Sequence, residues 1–251
     1  MRLARLLPAG LVAASAVCMN FAPAAAQTGS VKGTFVFEGE VPELPPKVKE
    51  GENVKDGQVC AADAVPDQTY VVDPSTKGLA NVFIWVQRID KDEIPEEFKK
   101  PKQAKITIDQ KGCVFVPHCV VAQEGQTLVM LNGDAVAHNV HLSAVRGKEI
   151  NDLVAPNDRK GVERPLKADL MPMPVKCDIH PWMIGHMLIL DHPYAALSDE
   201  KGQFTIEGLP EGTYDFRVWH ESQGYVKVDA KGIEVRAGKA TDMGKLTVEA
   251  K

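Results

Sequence analysis

The stretch CDIHPWMIGHMLILD, residues 177–191, combines three potential metal ligands with an apolar run. Cys177, His180 and Met183 stand three residues apart, and HMLILD at 186–191 predicts a buried β-strand directly after them. A thiolate, an imidazole and a thioether together are ligands that suit copper. The stretch therefore predicts a copper-binding turn at the edge of a β-structure.

Histidines are concentrated around this turn. Six of the seven fall between residues 118 and 192, namely His118, His138, His141, His180, His186 and His192. Imidazole crowded together with soft sulfur in one strand-rich segment indicates a transition-metal site. For any single histidine the alternative is an ordinary residue that caps a strand or faces solvent.

The predicted secondary structure is almost all β. Short runs rich in Val, Ile, Phe and Thr alternate with clusters of Gly, Pro, Asp and Lys, which is typical of a β-sandwich. Two charged stretches, DEIPEEFKK (92–100) and INDLVAPNDRK (150–160), predict the only helical turns. The predicted strands are VKGTFVFE (31–38), ANVFIWVQ (80–87), AKITID (104–109), QTLVMLN (126–132), HMLILD (186–191), QFTIE (203–207) and TYDFRVW (213–219).

The first 26 residues predict a secretory signal peptide. Arg2 and Arg5 precede an apolar run over residues 6–17, and a series of small residues ends with a cleavage site after Ala26. No later apolar run has the length of a membrane span. We therefore expect a periplasmic or secreted protein without a membrane span.

The charge balance argues against a nucleic-acid partner. Removing Arg2 and Arg5 with the leader leaves 27 of the 29 Lys and Arg residues against 34 Asp and Glu residues, a formal net charge of −7. The sequence has no basic stripe of the kind that binds phosphates. A mildly acidic surface favours solubility and basic partners instead.

Four cysteines follow the leader: Cys60, Cys113, Cys119 and Cys177. In an oxidising compartment the simplest expectation is two disulfides. The alternative is one disulfide, with Cys60 and Cys113 as the first candidate pair, and two free thiols. The sequence leaves this pairing open.

The order of the candidate ligands resembles that of the cupredoxins, or blue copper proteins. The strand-rich stretch CVFVPHCVVAQEGQTLVMLN at 113–132 leads to AHNVH at 137–141, and CDIHPWM follows at 177–183. In this family a histidine-bearing segment precedes a loop that supplies cysteine, histidine and methionine, and the short loop here is most similar to that of amicyanin. The resemblance covers residues 104 to about 192 and implies a cupredoxin-like Greek-key β-sandwich.

The resemblance implies one type 1 copper ion bound by His138, Cys177, His180 and Met183. The first three would be the equatorial ligands and Met183 the axial one, a geometry in which copper changes oxidation state with little rearrangement. Asn139 would brace the ligand loop through hydrogen bonds.

The resemblance also implies that His180 lies near the surface inside an apolar rim that includes Pro181 and Trp182. In blue copper proteins such a rim is the docking face for an electron-transfer partner. We therefore expect a redox protein to dock near His180 and Trp182. The alternative is that Trp182 packs against a second domain.

Methionines and prolines beside the loop leave further alternatives open. Met187 is an alternative axial ligand, although Met183 fits the short loop better. Met171 and Met173 would line the copper pocket, bind Cu(I) or fill the core. Because proline interrupts strand pairing, the stretch MPMPVKC at 171–177 predicts an edge strand or a bulge before the cysteine.

His118 and Cys119 have two interpretations. As ordinary strand residues, Cys119 would be a buried thiol and His118 would point outward. Alternatively, the two would form a second, weak metal site with His141, His186 or His192.

The two ends of the mature chain resemble parts of a second sandwich. SDEKGQFTIEGLPEGTYDFRV at 198–218 resembles the transthyretin-like carboxypeptidase regulatory domain, in which a Gly-Leu-Pro-x-Gly-x-Tyr corner joins two strands. The segments near residues 31–38 and 80–87 resemble its opening strands. We therefore predict a signal peptide at 1–26, the first part of this sandwich at 27–103, a cupredoxin-like domain at 104–193 and the rest of the small sandwich at 194–251.

Motifs of several other functions are missing from the sequence. It lacks the Cys-x3-Cys of binuclear copper centres and the Gly-x-Ser-x-Gly and His-Glu-x-x-His motifs of hydrolases. We therefore expect an exported one-electron carrier that is not an enzyme. The alternatives are a copper-handling protein, in which spare methionines and histidines bind Cu(I), and a metal-free interaction module of the same fold.

Overall fold

The structure is a computed structural model that describes residues 28–249. The predicted signal peptide lies outside these residues. Within them the chain forms eighteen β-strands and two one-turn helices, so the prediction of an all-β fold is confirmed. No helix in this part of the chain is long and apolar enough to cross a membrane.

The helices are α1 (Gly57–Cys60) and α2 (Glu96–Lys99). The strands are β1 (Thr28–Glu38), β2 (Phe83–Val86), β3 (Lys105–Gln110), β4 (Phe115–Val116), β5 (Cys119–Gln123), β6 (Thr127–Met130), β7 (His138–Leu142), β8 (Ile150–Val154), β9 (Val162–Pro165), β10 (Met173–Lys176), β11 (Ile184–Leu190), β12 (Ala195–Leu197), β13 (Gln203–Pro210), β14 (Gly212–Tyr214), β15 (Phe216–His220), β16 (Gly224–Tyr225), β17 (Ile233–Val235) and β18 (Ala240–Glu249).

Two sheets form the sandwich that carries the candidate ligands. One sheet has the strand order β5-β11-β10-β7-β8, and the other has the order β4-β3-β6-β9. Both sheets contribute to one core, which includes Leu128 from β6, Val140 from β7 and Ile189 from β11. Alternating apolar residues on these strands point into this core, as the pleat of a strand requires. We refer to this unit as the ligand sandwich.

Strands from both ends of the described chain share the remaining sheets. β1 lies between β13 and β18, and β2 lies between β12 and β15 in the order β12-β2-β15-β16. A third, two-stranded sheet pairs β14 with β17. Their side chains form a separate core that includes Phe35, Ile84 and Val218. The ligand sandwich is thus inserted between segments that fold together as the second sandwich, while the predicted domain limits remain predictions.

The corner between β13 and β14 depends on two residues of the GLPEGTY sequence. Gly208 has a φ of +72°, and a Cβ at this position would lie 2.5 Å from the Phe98 ring. Only glycine therefore fits this position without strain. Tyr214 Oη donates a hydrogen bond to the carbonyl of Pro210 at 3.0 Å, which closes the corner.

The two sandwiches pack directly against each other. Phe83, Trp85 and Trp219 from the second sandwich share an apolar cluster with Leu188 and Leu190 from β11 of the ligand sandwich. Burying large aromatic side chains in this way is strongly favourable because each removes extensive apolar surface from water. Residues at this interface are therefore held in fixed relative positions.

The helical prediction for residues 150–160 is wrong, whereas the one for 92–100 contains α2. The first of these stretches begins with β8, which lies at the edge of its sheet and pairs only with β7. Ile150 and Val154 are its buried residues. A spacing of four residues suits one face of a strand as well as one face of a helix, so the pattern was ambiguous.

The prediction of an edge strand or bulge before Cys177 is wrong for β10 as a whole, although Met173 and Pro174 are paired on one side only. β10 lies inside its sheet between β11 and β7. The strand tolerates Pro174 because β7 pairs only with Val175 and Lys176, so the proline lies outside the part that is paired on both sides. The missing N–H of Pro174 therefore leaves the β7 ladder intact.

One disulfide is present among the described residues. Cys60 and Cys113 are bonded, with a Cα–Cα distance of 5.3 Å, while Cys119 and Cys177 are free and buried. The expectation of two disulfides is wrong, and the alternative pairing of Cys60 with Cys113 is confirmed. This bond ties the segment between β1 and β2 to the turn before β4.

Candidate metal centre

Three of the predicted ligands converge in the ligand sandwich. His138 opens β7, and Cys177 and His180 lie in the turn between β10 and β11. His138 Nδ1 lies 2.9 Å from His180 Nδ1, and Cys177 Sγ lies 3.8 Å from that same nitrogen. All three side chains are buried, and one ligand atom from each lies within 4.8 Å of the others. We refer to these residues as the metal cluster.

The ligand turn is closed by its own backbone. Cys177 N–H donates to the carbonyl of Met183 at 3.2 Å, and Met183 N–H donates to the carbonyl of His180 at 2.9 Å. The chain reverses within the seven residues from Cys177 to Met183, and this reversal places the Cys177 and His180 side chains beside the same end of the sheet. The turn owes its position to β10 and β11, which flank it.

The fourth predicted ligand, Met183, is fully buried in the same core as Cys177. Its competitor Met187 is also buried, and it pairs across the sheet with Met173. Both thioethers are thus held in the core behind the metal cluster. The choice of Met183 as the axial ligand remains a prediction.

Asp134 holds the far side of the His138 ring. Its carboxylate lies 2.9 Å from His138 Nε2 and also accepts hydrogen bonds from the backbone N–H groups of Gly112 and Cys113. Burial alone would lower the pKa of His138, but hydrogen bonds with Asp134 and Cys177 raise this pKa to about 9. The other ring nitrogen, Nδ1, faces Nδ1 of His180.

Asp56 contacts the His180 ring in the same way. Its Oδ2 lies 2.9 Å from His180 Nε2. Because a carboxylate only accepts hydrogen bonds, this contact places the ring proton on Nε2 and leaves Nδ1 as a lone pair. Burial lowers the pKa of His180, which keeps the ring neutral. The lone pair therefore points at the centre of the metal cluster.

Asn139 braces the turn that contains Cys177. Its Oδ1 accepts a hydrogen bond from Asp178 N–H at 2.7 Å and lies 3.3 Å from Cys177 Sγ, while its Nδ2 donates to Asn151 and to Asp178. Burial raises the pKa of Cys177, but a hydrogen bond with His138 and contacts with backbone N–H groups outweigh burial, so this pKa is lowered. The site thus makes Cys177 easier to ionise than an ordinary cysteine.

Residues 47–66 form a small cap over the metal cluster. The cap contains α1, a bridge between Val48 and Val65, and Cys60, and its apolar residues pack against Val114 and Trp182 of the ligand sandwich. His180 beneath it has no exposed surface. The expectation that His180 lies near the surface is therefore wrong, because the cap and Asp56 cover its ring.

Trp182 packs under this cap and beside His180. The centroids of the two rings lie 5.2 Å apart, and the indole remains only partly buried. The alternative interpretation was packing of Trp182 against a second domain, and the indole does pack against the cap residues Val48, Ala61 and Val65. The same residue links the covered histidine to the surface of the protein.

The remaining histidines of the window lie apart from the metal cluster. His141 contacts Asp178 and Glu149 near the surface, and His192 stacks on Tyr194. His118 was expected to point outward, but its side chain is 8% exposed. It lies with His186 at the interface of the two sandwiches, and Cys119 beside it is the expected buried thiol.

Sequence reasoning missed both carboxylates that hold the histidine rings. Asp134 stands four residues before His138, so a search for acidic residues near the candidate ligands would have found it. Asp56 gave no such signal, because 124 residues separate it from His180 and no strand pattern surrounds it.

The donor set suits a soft transition metal. Two imidazole nitrogens, one thiolate and a buried thioether core are the ligand types that copper takes in electron-transfer sites. The two Nδ1 atoms, 2.9 Å apart, and the Cys177 sulfur lie around one position that a bound cation would take. The residues present therefore fit a copper ion.

No protein-family model matches the chain, and no curated protein is similar to it in sequence. Among solved structures, a copper-containing nitrite reductase from Thermus scotoductus SA-01 is 18% identical over 36% of this chain and 23% of that one, with a TM-score of 0.31. The matched part thus spans about a quarter of the reductase. An amicyanin variant in its reduced form is 18% identical over 36% of this chain and 86% of its own, with a TM-score of 0.30. A purple cupredoxin from Nitrosopumilus maritimus is 23% identical over 35% of this chain and 99% of its own, with a TM-score of 0.28.

Proposed function

We propose that this chain is an exported type 1 copper protein that carries single electrons between redox partners. One observation carries the proposal: the Nδ1 atoms of His138 and His180 and the sulfur of Cys177 converge in a buried cluster. Met183, buried in the adjoining core, is the proposed axial ligand. When bound there, copper supplies a centre that gains and loses one electron.

The protein's own residues hold the ligand atoms in place. Asp134 and Asp56 anchor the Nε2 atoms of the two histidines, and Asn139 anchors the turn that carries Cys177. Ligands fixed from behind in this way keep their positions when the charge at the centre changes. Fast one-electron transfer requires that the ligand atoms move little between the two oxidation states of the metal.

Burial of the metal cluster supports a carrier rather than an enzyme. The cap covers His180, and the side chains of His138 and Cys177 are buried as well. A catalytic metal site keeps an open position for substrate. We therefore propose that the chain transforms no substrate.

A redox protein is the proposed partner, with its docking face near Trp182. The covered His180 cannot touch a partner, so the electron path runs through the Trp182 ring, whose centroid lies 5.2 Å from that of the histidine. The proposed docking face therefore lies over Trp182 and the cap, and not over an exposed His180 as the sequence predicted.

The disulfide between Cys60 and Cys113 supports the proposed export of the protein. Disulfides form and persist in the periplasm and outside the cell, and they are rare in the cytosol. We propose that the second sandwich, whose corner resembles the transthyretin-like regulatory domain, is a structural companion that supplies the cap.

Copper handling is the second candidate function. It is favoured by four buried thioethers, Met130, Met173, Met183 and Met187, which share a core with Cys177 and suit Cu(I). A handling protein must release its ion, and the disulfide-tied cap opposes fast release. A carrier of electrons binds one copper and cycles it, whereas a handling protein prefers Cu(I) and takes up additional ions.

A titration of the mature chain, residues 27–251, with Cu(II) tests the proposal. We expect an intense visible thiolate-to-copper band that saturates at one equivalent and bleaches reversibly on reduction. Cys177→Ser should abolish the band. Cys119→Ser, which removes the other free buried thiol, should retain it. A colourless wild-type protein would refute the electron-carrier function, and colour that disappears irreversibly with reduction would favour handling.

A further inference from the structure

A second group of metal-binding side chains lies where the two sandwiches meet. His118 precedes β5, Cys119 opens it, and His186 lies on β11 in register with Cys119. Glu221 directly follows β15 of the second sandwich. One ligand atom from each of these four residues lies within 4.8 Å of the others. We refer to them as the interface cluster.

The Glu221 carboxylate bridges the two histidines. One oxygen lies 2.5 Å from His118 Nε2, and the other lies 3.8 Å from His186 Nδ1. The three side chains are only 8 to 12% exposed. Within residues 28–249, the ion pairs of Glu221 involve these two rings and no Lys or Arg. A carboxylate buried this deeply requires a compensating positive charge.

The interface cluster also contains buried nitrogen atoms without a hydrogen bond. Six buried side-chain atoms in the described part of the chain have no partner, and His118 Nδ1, His186 Nδ1 and the neighbouring His220 Nε2 are three of them. Buried polar atoms are normally satisfied, so their concentration here requires an explanation. His186 Nδ1 faces the unshared oxygen of Glu221, and a cation between these two atoms would satisfy both.

We propose that His118, Cys119, His186 and Glu221 bind a divalent ion of the zinc class that ties the two sandwiches together. Two imidazoles, one carboxylate and one thiolate are ligand types that four-coordinate zinc takes. A single sulfur makes the set less suited to Cu(I) than the metal cluster is. Three ligands come from the ligand sandwich and one from the second sandwich, so binding joins the two units.

A divalent ion deprotonates a coordinating thiol, so binding at Cys119 would release one proton to solvent.

Calorimetric titration of the metal-stripped mature chain with Zn²⁺ tests the proposal. Zinc also enters sites built for copper, so the wild type should bind two equivalents, one in each cluster. Glu221→Gln and Cys177→Ser should each bind one. The matched control Glu207→Gln, an exposed carboxylate on β13 of the second sandwich, should bind two. Because even outer-shell partners are worth about 10- to 100-fold in metal affinity, loss of Glu221 should weaken the second binding step by more than about 100-fold.

Cobalt provides an optical readout of the interface cluster. The Co²⁺ complex of Cys177→Ser should retain a near-ultraviolet thiolate-to-cobalt band, and adding Cys119→Ser should remove it.

One zinc equivalent in both the wild type and Glu221→Gln would overturn the proposal, provided that Glu221→Gln still develops the copper colour of the other site as proof of its fold. If Cys177→Ser fails to fold, the comparison of wild type with Glu221→Gln decides alone. If only the copper proposal fails, the wild type develops no copper colour, but Glu221→Gln still binds one zinc equivalent fewer than the wild type.

Discussion

Asp56 Oδ2 lies 2.9 Å from His180 Nε2 and connects the cap to the metal cluster across 124 residues of sequence. Asp134 makes the same contact with Nε2 of His138, also at 2.9 Å. A carboxylate therefore fixes the orientation and tautomer of each histidine ring from the side opposite to the proposed copper. In metal sites such partners raise the basicity of the ligand as well as its order.

Replacing Asp56 with glycine should weaken copper binding by about 10- to 100-fold, the usual effect of losing such a partner. Asp56 has a φ of 54°, a left-handed conformation that glycine adopts without strain, so the change removes the carboxylate and leaves the backbone able to keep its path. Competition with a chelator of known copper affinity measures the effect.

Lys77→Gly is the matched control for this variant. Lys77 has a φ of 59° and an exposed side chain, and it lies away from the cap. Its replacement changes the backbone entropy in the same way without touching the site. Equal copper affinity for Asp56→Gly and Lys77→Gly would show that the carboxylate does not support the histidine.

Asn139→Ala should shift the visible thiolate-to-copper band and weaken copper binding by about 10- to 100-fold. The change removes the Oδ1 atom that accepts from Asp178 N–H and lies 3.3 Å from Cys177 Sγ, so the ligand turn loosens around its thiolate. Asn151→Ala removes an acceptor of this amide and a donor to the Asp178 side chain but leaves Asn139 Oδ1 in place, so it should have a smaller effect. Absorption spectra and chelator competition on both variants rank the two contributions, and equal effects would contradict the assigned role of Asn139.

The sequence predicted the parts of the site that lie close together along the chain. Cys177, His180 and Met183 belong to one turn, so their proximity follows from a spacing of three residues. His138 joins them because β7 and β10 are neighbours in one sheet. The resemblance to the cupredoxins predicted this proximity, because neither β7 nor β10 is among the strands predicted from the residue pattern.

A site with His118, Cys119 and His186 was one interpretation of the sequence. The cap and the Glu221 carboxylate of the interface cluster could not be predicted in the same way. Asp56 lies in a segment without strand periodicity, and Glu221 follows a strand of a different sandwich. Their positions depend on how two separately folded units pack, which is set by aromatic contacts such as those of Trp85 and Trp219. The exposure of His180 was predicted wrongly for the same reason, because the covering residues come from outside the ligand sandwich.

Removing the disulfide should destabilise the protein and loosen the cap. Cys60 and Cys113 close a loop across 53 residues, for which the chain-entropy estimate is about 4 kcal/mol of unfolding free energy. The double variant Cys60→Ala, Cys113→Ala should therefore unfold at lower denaturant concentration and lose copper faster. Reductant should shift the wild-type transition toward that of the variant and leave the variant unchanged. A variant with wild-type stability and copper release would contradict this role of the bond.

Asp169 should make the stability of the fold depend on pH. It lies before β10, where its Oδ2 accepts hydrogen bonds from the backbone N–H groups of Val145, Arg146 and Gly147 and its Oδ1 accepts one from Leu170. Burial would raise the pKa of this carboxyl, but the four donors outweigh burial, and its pKa is lowered. The ionised form is therefore favoured in the folded state relative to the unfolded state.

The sign of the effect follows from this lowered pKa. An aspartate ordinarily titrates near pH 3.9 in the unfolded chain, so the stabilisation is complete above that pH and is lost as the pH falls through the lower folded-state pKa. Asp169→Asn should cost about 1–3 kcal/mol of unfolding free energy at pH 7, because a neutral amide binds the N–H groups less strongly. Urea unfolding at pH 7 and at pH 3 measures the difference in unfolding free energy between wild type and variant, which should shrink at the lower pH.

The exposed Asp63, which makes no side-chain hydrogen bond within the described residues, provides the control Asp63→Asn and should show no such difference. A gap between wild type and Asp169→Asn that stays constant with pH would assign the effect to packing and not to the charge.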